Sequence, residues 1–359
     1  MAVAPTAVDR RSHMNTSLTP VRHYSLSYMM RTDAEVGVDN RQIENNLLIQ
    51  EHSSIRFLNL VINPTEKCNF RCVYCPEKFL LGRMKPEVVD GVKNLIYNRS
   101  DDLRKLGISW FGGEPTLAMG VVLDIMQHAN RICSAKDITL CSGMTTNAYK
   151  LNTYNLKVLV TAGVTDYQIS FDGEEEEHDR LRIRADGAGT FNAIWGSIVG
   201  AHSSDIPFTI TIRVHVNRNN HESIKRLLRR ISETIGSDSR FCMFIRPLSK
   251  LGGPNDQSLE IIEDNLPVDE LRAYATSVGL KLKGEETAPI CYASKLNSFV
   301  IRSNGDVGKC TVALYDDRNL VGRLLPDGTM NLDVRKMLWW TRGLLSRNKK
   351  ELECPWIED

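Results

Sequence analysis

The chain lacks several features that would place it in a specialised class. No apolar run is long enough to cross a bilayer, since a membrane-spanning helix needs about 20 consecutive apolar residues. The amino terminus lacks the apolar stretch of a secretory signal, which predicts a protein that is not exported. The formal net charge is only +1 and no basic stripe is visible, which argues against a nucleic-acid-binding surface. We therefore expect neither a membrane nor a nucleic acid as a partner.

Cysteine, by contrast, is abundant. The chain has nine cysteines in 359 residues. Without an export signal, this number predicts metal binding in a reducing, cytoplasmic setting rather than a disulfide framework. The hydrophobic content of 42% and the charged content of 25% are ordinary for a globular protein. The length fits one large domain, or a large domain with a small one.

Strand-like and helix-like segments alternate from residue 55 onward. The predicted strands are 55–62, 108–111, 138–146, 165–171, 206–216 and 241–247. The predicted helices between them are 86–98, 121–132, 154–162, 191–202 and 221–235. Such βα repeats predict a parallel sheet with helices outside it. We predict an α/β fold, a partial (β/α)6 TIM-like barrel; periodicity alone leaves an open, doubly wound sheet as the alternative.

The alternation of apolar and polar residues in one predicted strand helps to decide between these two architectures. Segment 206–216 has Ile, Phe or Val at its even positions, whereas its odd positions include Thr211, Arg213 and His215. A parallel strand that is buried on both faces is apolar throughout, so one face of this strand meets something polar. We predict a polar barrel lumen that holds a cofactor. An edge strand with one wet face is the alternative.

Three cysteines lie in one short run, Cys68-Asn-Phe-Arg-Cys72-Val-Tyr-Cys75. Three thiolates are one too few for a closed structural metal site. They suit a [4Fe–4S] cubane with one iron left open to a ligand that is not protein. A zinc knuckle is the alternative, but it needs a fourth ligand nearby, and apart from His128 no His or Cys follows until Cys133.

The C-x3-C-x2-C run resembles the signature of the radical SAM superfamily. In that family S-adenosylmethionine (SAM) chelates the open iron, and reduction of the cluster splits a sulfur–carbon bond to release a 5′-deoxyadenosyl radical. The resemblance implies that Cys68, Cys72 and Cys75 hold a [4Fe–4S] cluster. It also implies that Tyr74, the aromatic residue before the third cysteine, lies beside the adenine of SAM.

A second motif, Gly112-Gly113-Glu114-Pro115, resembles the GGEP motif of the same family. The resemblance implies that Gly112 and Gly113 let the backbone approach the methionine moiety and that Glu114 accepts from its ammonium group. Asn147 matches a strand-end asparagine that is common in the family; a helix cap is the alternative.

A third segment resembles sulfatase-maturing and peptide-modifying members of the family. It runs Ser-Phe-Asp-Gly at 170–173 and His-Asp-Arg-Leu-Arg at 178–182. The resemblance implies that Ser170 and Asp172 lie near the ribose and that Arg182, rather than Arg180, pairs with the SAM carboxylate. A solvated charged loop is the alternative, and we expect 174–177 to be such a surface loop.

About a hundred residues follow the sixth strand. Within them Cys291-x13-Gly305-x4-Cys310 resembles the opening of SPASM and twitch extensions, which bind auxiliary clusters. Asn-Gly-Asp at 304–306 predicts a hairpin between strands 299–302 and 307–310, which would bring Cys310 toward Cys291. With Cys354, the resemblance implies one auxiliary [4Fe–4S] cluster. Small buried hydrophobes are the alternative for these cysteines.

The sequence is therefore divided into three parts. Residues 1–54 form an N-terminal segment that begins disordered, residues 55–250 form the barrel, and residues 251–359 form a small iron–sulfur extension that is twitch/SPASM-like. The other three cysteines fall inside barrel elements, and we expect them in the core: Cys133, Cys141 and Cys242.

Three functions are consistent with this sequence. The first, implied by the resemblance, is a radical SAM maturase that abstracts hydrogen from a peptide or protein, leading to a crosslink, an epimer or an oxidised side chain. The second is a twitch-type enzyme for a nucleotide, sugar or cofactor precursor, and the third is an electron carrier without chemistry. An external donor such as flavodoxin or ferredoxin is expected for either enzyme. Arg213, His215 and Arg246 are catalytic candidates by position only.

Overall fold

The computed structural model of the chain describes residues 53–284 and 290–356. The predicted N-terminal segment therefore lies almost wholly outside the described residues. Within the described part of the chain, ten strands form one sheet. In chain order the strands are β1 (Phe57–Ile62), β2 (Lys105–Trp110), β3 (Thr139–Thr145), β4 (Asp166–Phe171), β5 (Thr209–Val216), β6 (Phe241–Pro247), β7 (Ser298–Ile301), β8 (Asp306–Gly308), β9 (Gly322–Leu324) and β10 (Met330–Leu332).

Helices connect the strands and cover the outer face of the sheet. They are α1 (Pro86–Arg99), α2 (Met119–Lys136), α3 (Thr153–Thr161), α4 (Glu175–Leu181), α5 (Phe191–His202), α6 (His221–Ile235), α7 (Leu266–Ser277), α8 (Val334–Ser346) and α9 (Lys349–Glu353). In α6, apolar residues recur three and four positions apart and are almost completely buried, while Lys and Arg fill the other face. This pattern stabilises a helix against a sheet.

The strand order distinguishes the two predicted architectures. Strands β1 to β6 are parallel and lie in consecutive order, whereas a doubly wound sheet reverses its order at a switch point. β1 does not pair with β6, so the barrel stays open. The partial barrel is confirmed. The edge-strand alternative for β5 is wrong, because β5 pairs with β4 on one side and β6 on the other.

The C-terminal strands join the same sheet. β7 pairs in parallel with the free edge of β1, and β8, β9 and β10 continue the sheet in antiparallel order. The predicted hairpin is present between β7 and β8, with Gly305 at φ +91° in its turn. The boundary at residue 250 stays a prediction, but the strands beyond it are continuous with the barrel.

Two expectations about single segments need correction. Residues 174–177 lie at the surface as expected, with Glu175 and Glu176 exposed, but they are not a loop: Glu175, Glu176 and Glu177 form the first turn of helix α4, where carboxylates stabilise the helix dipole. Cys242 was expected in the core, but it pairs in register with Thr211, and its Sγ lies 3.4 Å from the Thr211 Oγ1. It therefore belongs to the polar inner face of the barrel, whereas Cys133 and Cys141 are buried as expected.

Candidate cofactor site

The loop with the first three cysteines follows β1 and is held by main-chain hydrogen bonds. Arg71 N donates to Ile183 O at 2.7 Å, and Val73 N donates to Leu181 O at 2.8 Å. Phe70, at the centre of the loop, is 1% exposed and anchors it in the core. The loop therefore takes its shape from the segment after α4, more than a hundred residues away in sequence.

The three thiols lie in a partly buried environment. Burial raises the pKa of Cys68 and of Cys75 to about 12, and burial also raises the pKa of Cys72, against the opposing charge of Arg182. The Sγ of Cys68 accepts hydrogen bonds from Phe70 N at 3.3 Å and from Asn147 Nδ2 at 3.8 Å. Such donors suit a thiolate that a metal has deprotonated, so the residues fit an iron–sulfur cluster.

The arrangement of the three cysteines is not that of a site for a single metal ion. Among residues 53–284 and 290–356, no group of three or more His, Cys, Asp or Glu side chains is arranged to hold a single metal ion. A cubane does not require its cysteine sulfurs to meet at one metal ion, because each of its thiolates binds a different iron.

The Gly-Gly-Glu turn after β2 packs against the start of the cysteine loop. Gly113 N donates to Thr65 O at 3.3 Å, and Glu114 N donates to Lys67 O at 3.0 Å. A Cβ on Gly113 would lie 2.4 Å from Lys67 O, and Gly112 has φ +104°. These glycines therefore let two loops of the protein meet, and their expected approach to a cofactor stays a prediction.

The Glu114 carboxylate accepts hydrogen bonds from other residues of the protein. Its Oε1 accepts hydrogen bonds from Thr116 N, Thr116 Oγ1 and Thr146 Oγ1, and its Oε2 accepts one from Asn147 N at 2.7 Å. The side chain is 1% exposed. Glu114 thereby fixes the end of β3, and it holds Asn147 against the cysteine loop, where Asn147 Nδ2 also donates to Asn69 Oδ1 at 2.8 Å.

A buried polar network connects the cysteine loop to β4 and β5. The Tyr74 hydroxyl donates to Asp172 Oδ2 at 2.5 Å and accepts from Arg182 Nη1 at 2.7 Å. The other carboxylate oxygen of Asp172 lies 2.8 Å from His215 Nδ1. The Tyr74 and His215 rings are 5.0 Å apart. The structure thus brings together four predicted site residues from three parts of the sequence: Tyr74 from the cysteine loop, Asp172 and Arg182 from the third motif, and His215 from β5.

The charges in this network are strongly coupled. Burial opposes the ionisation of Asp172, but His215 and its hydrogen bond, with Arg182, hold the pKa of Asp172 below its usual range. Burial lowers the pKa of His215 despite the neighbouring carboxylate, so the imidazole is neutral at pH 7. Burial also raises the pKa of Tyr74 well above its ordinary value, so its hydroxyl keeps its proton. The network therefore holds one carboxylate and one guanidinium around a neutral phenol.

Some site groups have no hydrogen-bond partner among the described residues. The Nε atoms of Arg182 and Arg213 are buried without a hydrogen bond, and so are both amide atoms of Asn63 at the end of β1. Unsatisfied buried donors are rare in proteins and are expected where a bound group supplies the acceptor. The site therefore fits an anionic or polar cofactor. Ser170 lies on β4 opposite Arg213.

Sequence reasoning missed one contact at the site. Glu66, fully buried, makes a bidentate ion pair with Arg302 just after β7, with N–O distances of 2.7 and 2.9 Å. Glu66 lies two residues before Cys68, so the pair joins the cysteine loop to the C-terminal region. The partners are 236 residues apart, and no local pattern could have matched them.

The second group of cysteines comes from three separate segments. Cys291 N donates to Leu352 O at 2.8 Å, which brings the end of α9 and Cys354 against Cys291. Burial raises the pKa of Cys291 to about 11, with Cys310 and Cys354 close enough to add to the effect. The hairpin thus brings Cys310 toward Cys291 as expected, and all three thiols are free.

The comparisons with known proteins agree on a family. A model described as Radical SAM superfamily matches residues 62–231. A molybdenum cofactor biosynthesis protein of Caenorhabditis elegans, moc-5, is 29% identical over 185 residues, 48% of this chain and 27% of that protein. A cysteine-type anaerobic sulfatase-maturating enzyme of Clostridium novyi is 24% identical, over 56% of this chain and 54% of that protein. The chain thus spans about a quarter to a half of the length of these two relatives.

A third relative matches over a longer stretch. A GTP 3′,8-cyclase of Clostridium perfringens is 26% identical over 298 residues, which is 81% of this chain and 83% of that protein. The relatives therefore include proteins named for peptide or protein substrates and proteins named for a nucleotide.

Solved structures support the fold. Native anSMEcpe with bound AdoMet and Cp18Cys peptide aligns with a TM-score of 0.62 at 18% identity, over 80% of this chain and 82% of that one. Streptococcus suis SuiB bound to precursor peptide SuiA aligns with a TM-score of 0.53 at 15% identity, over 88% and 74%. No helix in the described part of the chain has the length and apolar character to span a membrane. Residues 62–231 thus match a radical SAM domain, a kind of domain that uses a [4Fe–4S] cluster and S-adenosylmethionine, and the chain is similar to a protein named as a sulfatase-maturating enzyme.

Proposed function

We propose that this chain reductively cleaves S-adenosylmethionine and uses the resulting radical to abstract hydrogen from a peptide or protein. The cluster and SAM together supply the radical chemistry. The observation that carries the proposal is the loop of Cys68, Cys72 and Cys75, with partly buried sulfurs, hydrogen-bond donors to Cys68 and a neighbouring Arg182.

The chain's own residues position these groups. We propose that Tyr74 lines the adenine site, because Asp172 and Arg182 fix its hydroxyl from two sides. We assign Arg182 to the methionine carboxylate, since its unpaired Nε and its position beside Cys72 leave it able to bind an anion there. Ser170 and Asp172 are assigned to the ribose edge.

The roles of the Gly-Gly-Glu turn and Asn147 follow from their contacts. Gly112 and Gly113 offer the backbone of their turn to the methionine moiety, while the Glu114 carboxylate, with four protein donors, chiefly holds that turn and Asn147 in place. We propose that the remaining lone pair of Glu114 Oε2 is available to the SAM ammonium.

An auxiliary [4Fe–4S] cluster is proposed on Cys291, Cys310 and Cys354. Its role would be to accept the electron that a substrate radical releases when a double bond or crosslink forms. The first electron would come from an external donor such as flavodoxin or ferredoxin, and the low potential that this requires suits the cytoplasm.

A small-molecule substrate is the second candidate. The observation that favours it is the match to the GTP 3′,8-cyclase over 81% of this chain. Uncoupled SAM cleavage that candidate peptides stimulate and that nucleotides and other small metabolites leave unchanged would select the peptide; the reverse would select the small molecule.

The test is anaerobic reconstitution with iron counting and an assay for 5′-deoxyadenosine. The proposal expects about eight irons per chain in the wild type and about four in a Cys68/Cys72/Cys75→Ala variant. The wild type should form 5′-deoxyadenosine, and this variant should not. Cys242→Ala is the matched control, because Cys242 also lies on the inner barrel face and should change neither count. An electron carrier would bind iron and release no 5′-deoxyadenosine.

A further inference from the structure

Two arginines share the inner face of the barrel near the cysteine loop. Arg246 on β6 is opposite His215 in register, and Arg213 on β5 is opposite Phe244. Side chains of paired residues point to the same face of a sheet. His215 contacts Asp172, and its ring lies 5.0 Å from the ring of Tyr74, so this face of the sheet lies toward the cysteine loop.

Neither arginine is paired in the described part of the chain. Arg213 makes no hydrogen bond or ion pair there, and its Nε is completely buried. Arg246 has one ring contact, with its guanidinium carbon 6.0 Å from the centre of Phe244. Both side chains are partly buried, and withdrawing a charged group from water without a partner is costly, so two such groups close together predict a ligand of opposite charge.

The nearby charges do not neutralise the pair. Asp172 is already bound by His215 and Tyr74, and Arg182 adds a third positive charge. Burial, with the charge of Arg246, lowers the pKa of Arg213 to about 10, and burial lowers the pKa of Arg246. At neutral pH Arg213 remains protonated, and the inner face therefore carries uncompensated positive charge.

We propose that Arg213 and Arg246 bind a carboxylate of the substrate, either an acidic side chain or a chain terminus. This inference rests on the proposed function, since it names the chemistry of the peptide that enters the barrel. Guanidinium groups bind carboxylates through two parallel N–H···O bonds, which fixes orientation as well as position. The pair would hold the substrate by this anchor while another part of it faces the cofactor.

The carboxylate of SAM is the other source of the same chemistry. Arg182 is the better partner for it, because its Nη1 donates to the hydroxyl of Tyr74 in the cysteine loop, whereas Arg213 and Arg246 make no hydrogen bond to that loop in the described part of the chain. SAM bound to a cluster on these cysteines would therefore have Arg182 as the partner of its carboxylate. The Arg213–Arg246 pair is thereby left for the substrate.

Arginine footprinting of the reconstituted holoenzyme tests the proposal. Phenylglyoxal modification of Arg213 and Arg246 is followed by mass spectrometry with saturating SAM present throughout. The probes are acetyl-Gly-Asp-Gly-amide and its neutral twin acetyl-Gly-Asn-Gly-amide, each at high millimolar concentration. The exposed Arg180, which pairs with Glu176 and Glu177, is the internal control.

The expected result is that the Asp peptide slows modification of both arginines at least about tenfold, equivalent to about 1.4 kcal/mol, while the Asn peptide and Arg180 show no change. Equal effects of the two peptides, or none, would overturn the proposal. Protection of both arginines by SAM alone, compared with holoenzyme without SAM, would also overturn it, because the site would then belong to the cofactor.

Two variants separate this proposal from the proposed function. Arg246→Gln should abolish protection of Arg213 by the Asp peptide yet keep SAM affinity within about twofold, whereas Arg246→Lys should restore part of the protection. A shift in SAM affinity of more than tenfold in Arg246→Gln would contradict the assignment. Because neither readout depends on turnover, footprinting can fail while 5′-deoxyadenosine is still formed, and the converse also holds.

Discussion

The two cysteine groups of this molecule each have three thiols but are built in opposite ways. Cys68, Cys72 and Cys75 lie within eight residues of one loop, whereas Cys291 and Cys354 are 63 residues apart. The first group is assembled by local spacing and then held by the barrel. The second exists only because β7, β8 and α9 fold against each other. A group of cysteines that are close in sequence can be recognised from its spacing alone, whereas a dispersed group can be recognised only once the fold is known.

The largest expected effect comes from the local group. Cys72→Ala removes one of the three proposed ligands of the first cluster. Formation of 5′-deoxyadenosine should then fall by at least about 100-fold, because losing a direct ligand reduces activity more than losing a residue that hydrogen-bonds to a ligand. The measurement is product per chain under anaerobic reduction. Retention of more than a tenth of the activity would mean that the loop is not the site of SAM cleavage.

The dispersed group should separate iron content from cleavage. Cys354→Ala is expected to remove about four irons and to leave uncoupled SAM cleavage within about threefold of the wild type, because the first cluster is untouched. Iron analysis and the 5′-deoxyadenosine assay on the same sample provide the comparison. Unchanged iron would assign Cys354 to packing rather than to a cluster.

The ion pair of Glu66 and Arg302 joins the two regions, and breaking it should affect stability. Arg302→Met leaves the fully buried Glu66 carboxylate unpaired and should lower the free energy of unfolding by about 3–5 kcal/mol. Chemical denaturation measures this change.

Arg218→Met is the matched control for that substitution. Arg218 makes an exposed pair with Glu263, and its loss should lower stability by less than about 1 kcal/mol. Adding Glu66→Gln to Arg302→Met should recover part of the loss. A double variant less stable than Arg302→Met would contradict the account of an unpaired buried charge.

The smallest effect is expected far from both regions. Asp238 accepts hydrogen bonds from Arg240, and its other contact is His202, with Nδ1 2.9 Å from Oδ2. The Arg240 bonds hold the pKa of Asp238 below its usual range. Asp238→Asn should therefore lower stability by about 1–2 kcal/mol at pH 7 without changing iron content.

The pH dependence of that difference follows from the sign of the shift. A carboxyl whose pKa is depressed by folding stabilises the folded state above its unfolded pKa of about 3.9, and this stabilisation is lost as the pH falls toward the folded value. The wild-type advantage over Asp238→Asn should shrink as the pH falls below about pH 4. Thermal melts at pH 7 and across the acidic range provide the check; an advantage that grew as the pH fell below about pH 4 would be inconsistent with it.

The sequence predicted the barrel well because its elements are encoded locally. The helices at 191–202 and 221–235 and the strand at 241–247 have the predicted bounds, since each has one unbroken apolar period. The helix at 175–181 was missed because its first turn has three glutamates and no apolar stripe. The addition of β7 to β1 was not predictable, since parallel pairing between distant segments leaves no local signal.

The candidate site follows the same rule. Tyr74, Asp172, Arg182 and His215 were each selected from a motif or strand face, and they meet because carboxyl ends of parallel strands share one rim. The contact of Glu114 with the end of β3 could not be predicted, because only the fold brings Thr146 Oγ1 and Asn147 N to its carboxylate; the two donors of Thr116 are local.

The most direct test of the central claim uses a Cys291/Cys310/Cys354→Ala variant, so that one cluster remains. The reduced protein is examined by electron paramagnetic resonance before and after addition of SAM. The account predicts a [4Fe–4S]⁺ signal whose g values shift when SAM binds the open iron on the loop of Cys68, Cys72 and Cys75. A signal that SAM leaves unchanged, or a colourless protein with zinc in that loop, would contradict it.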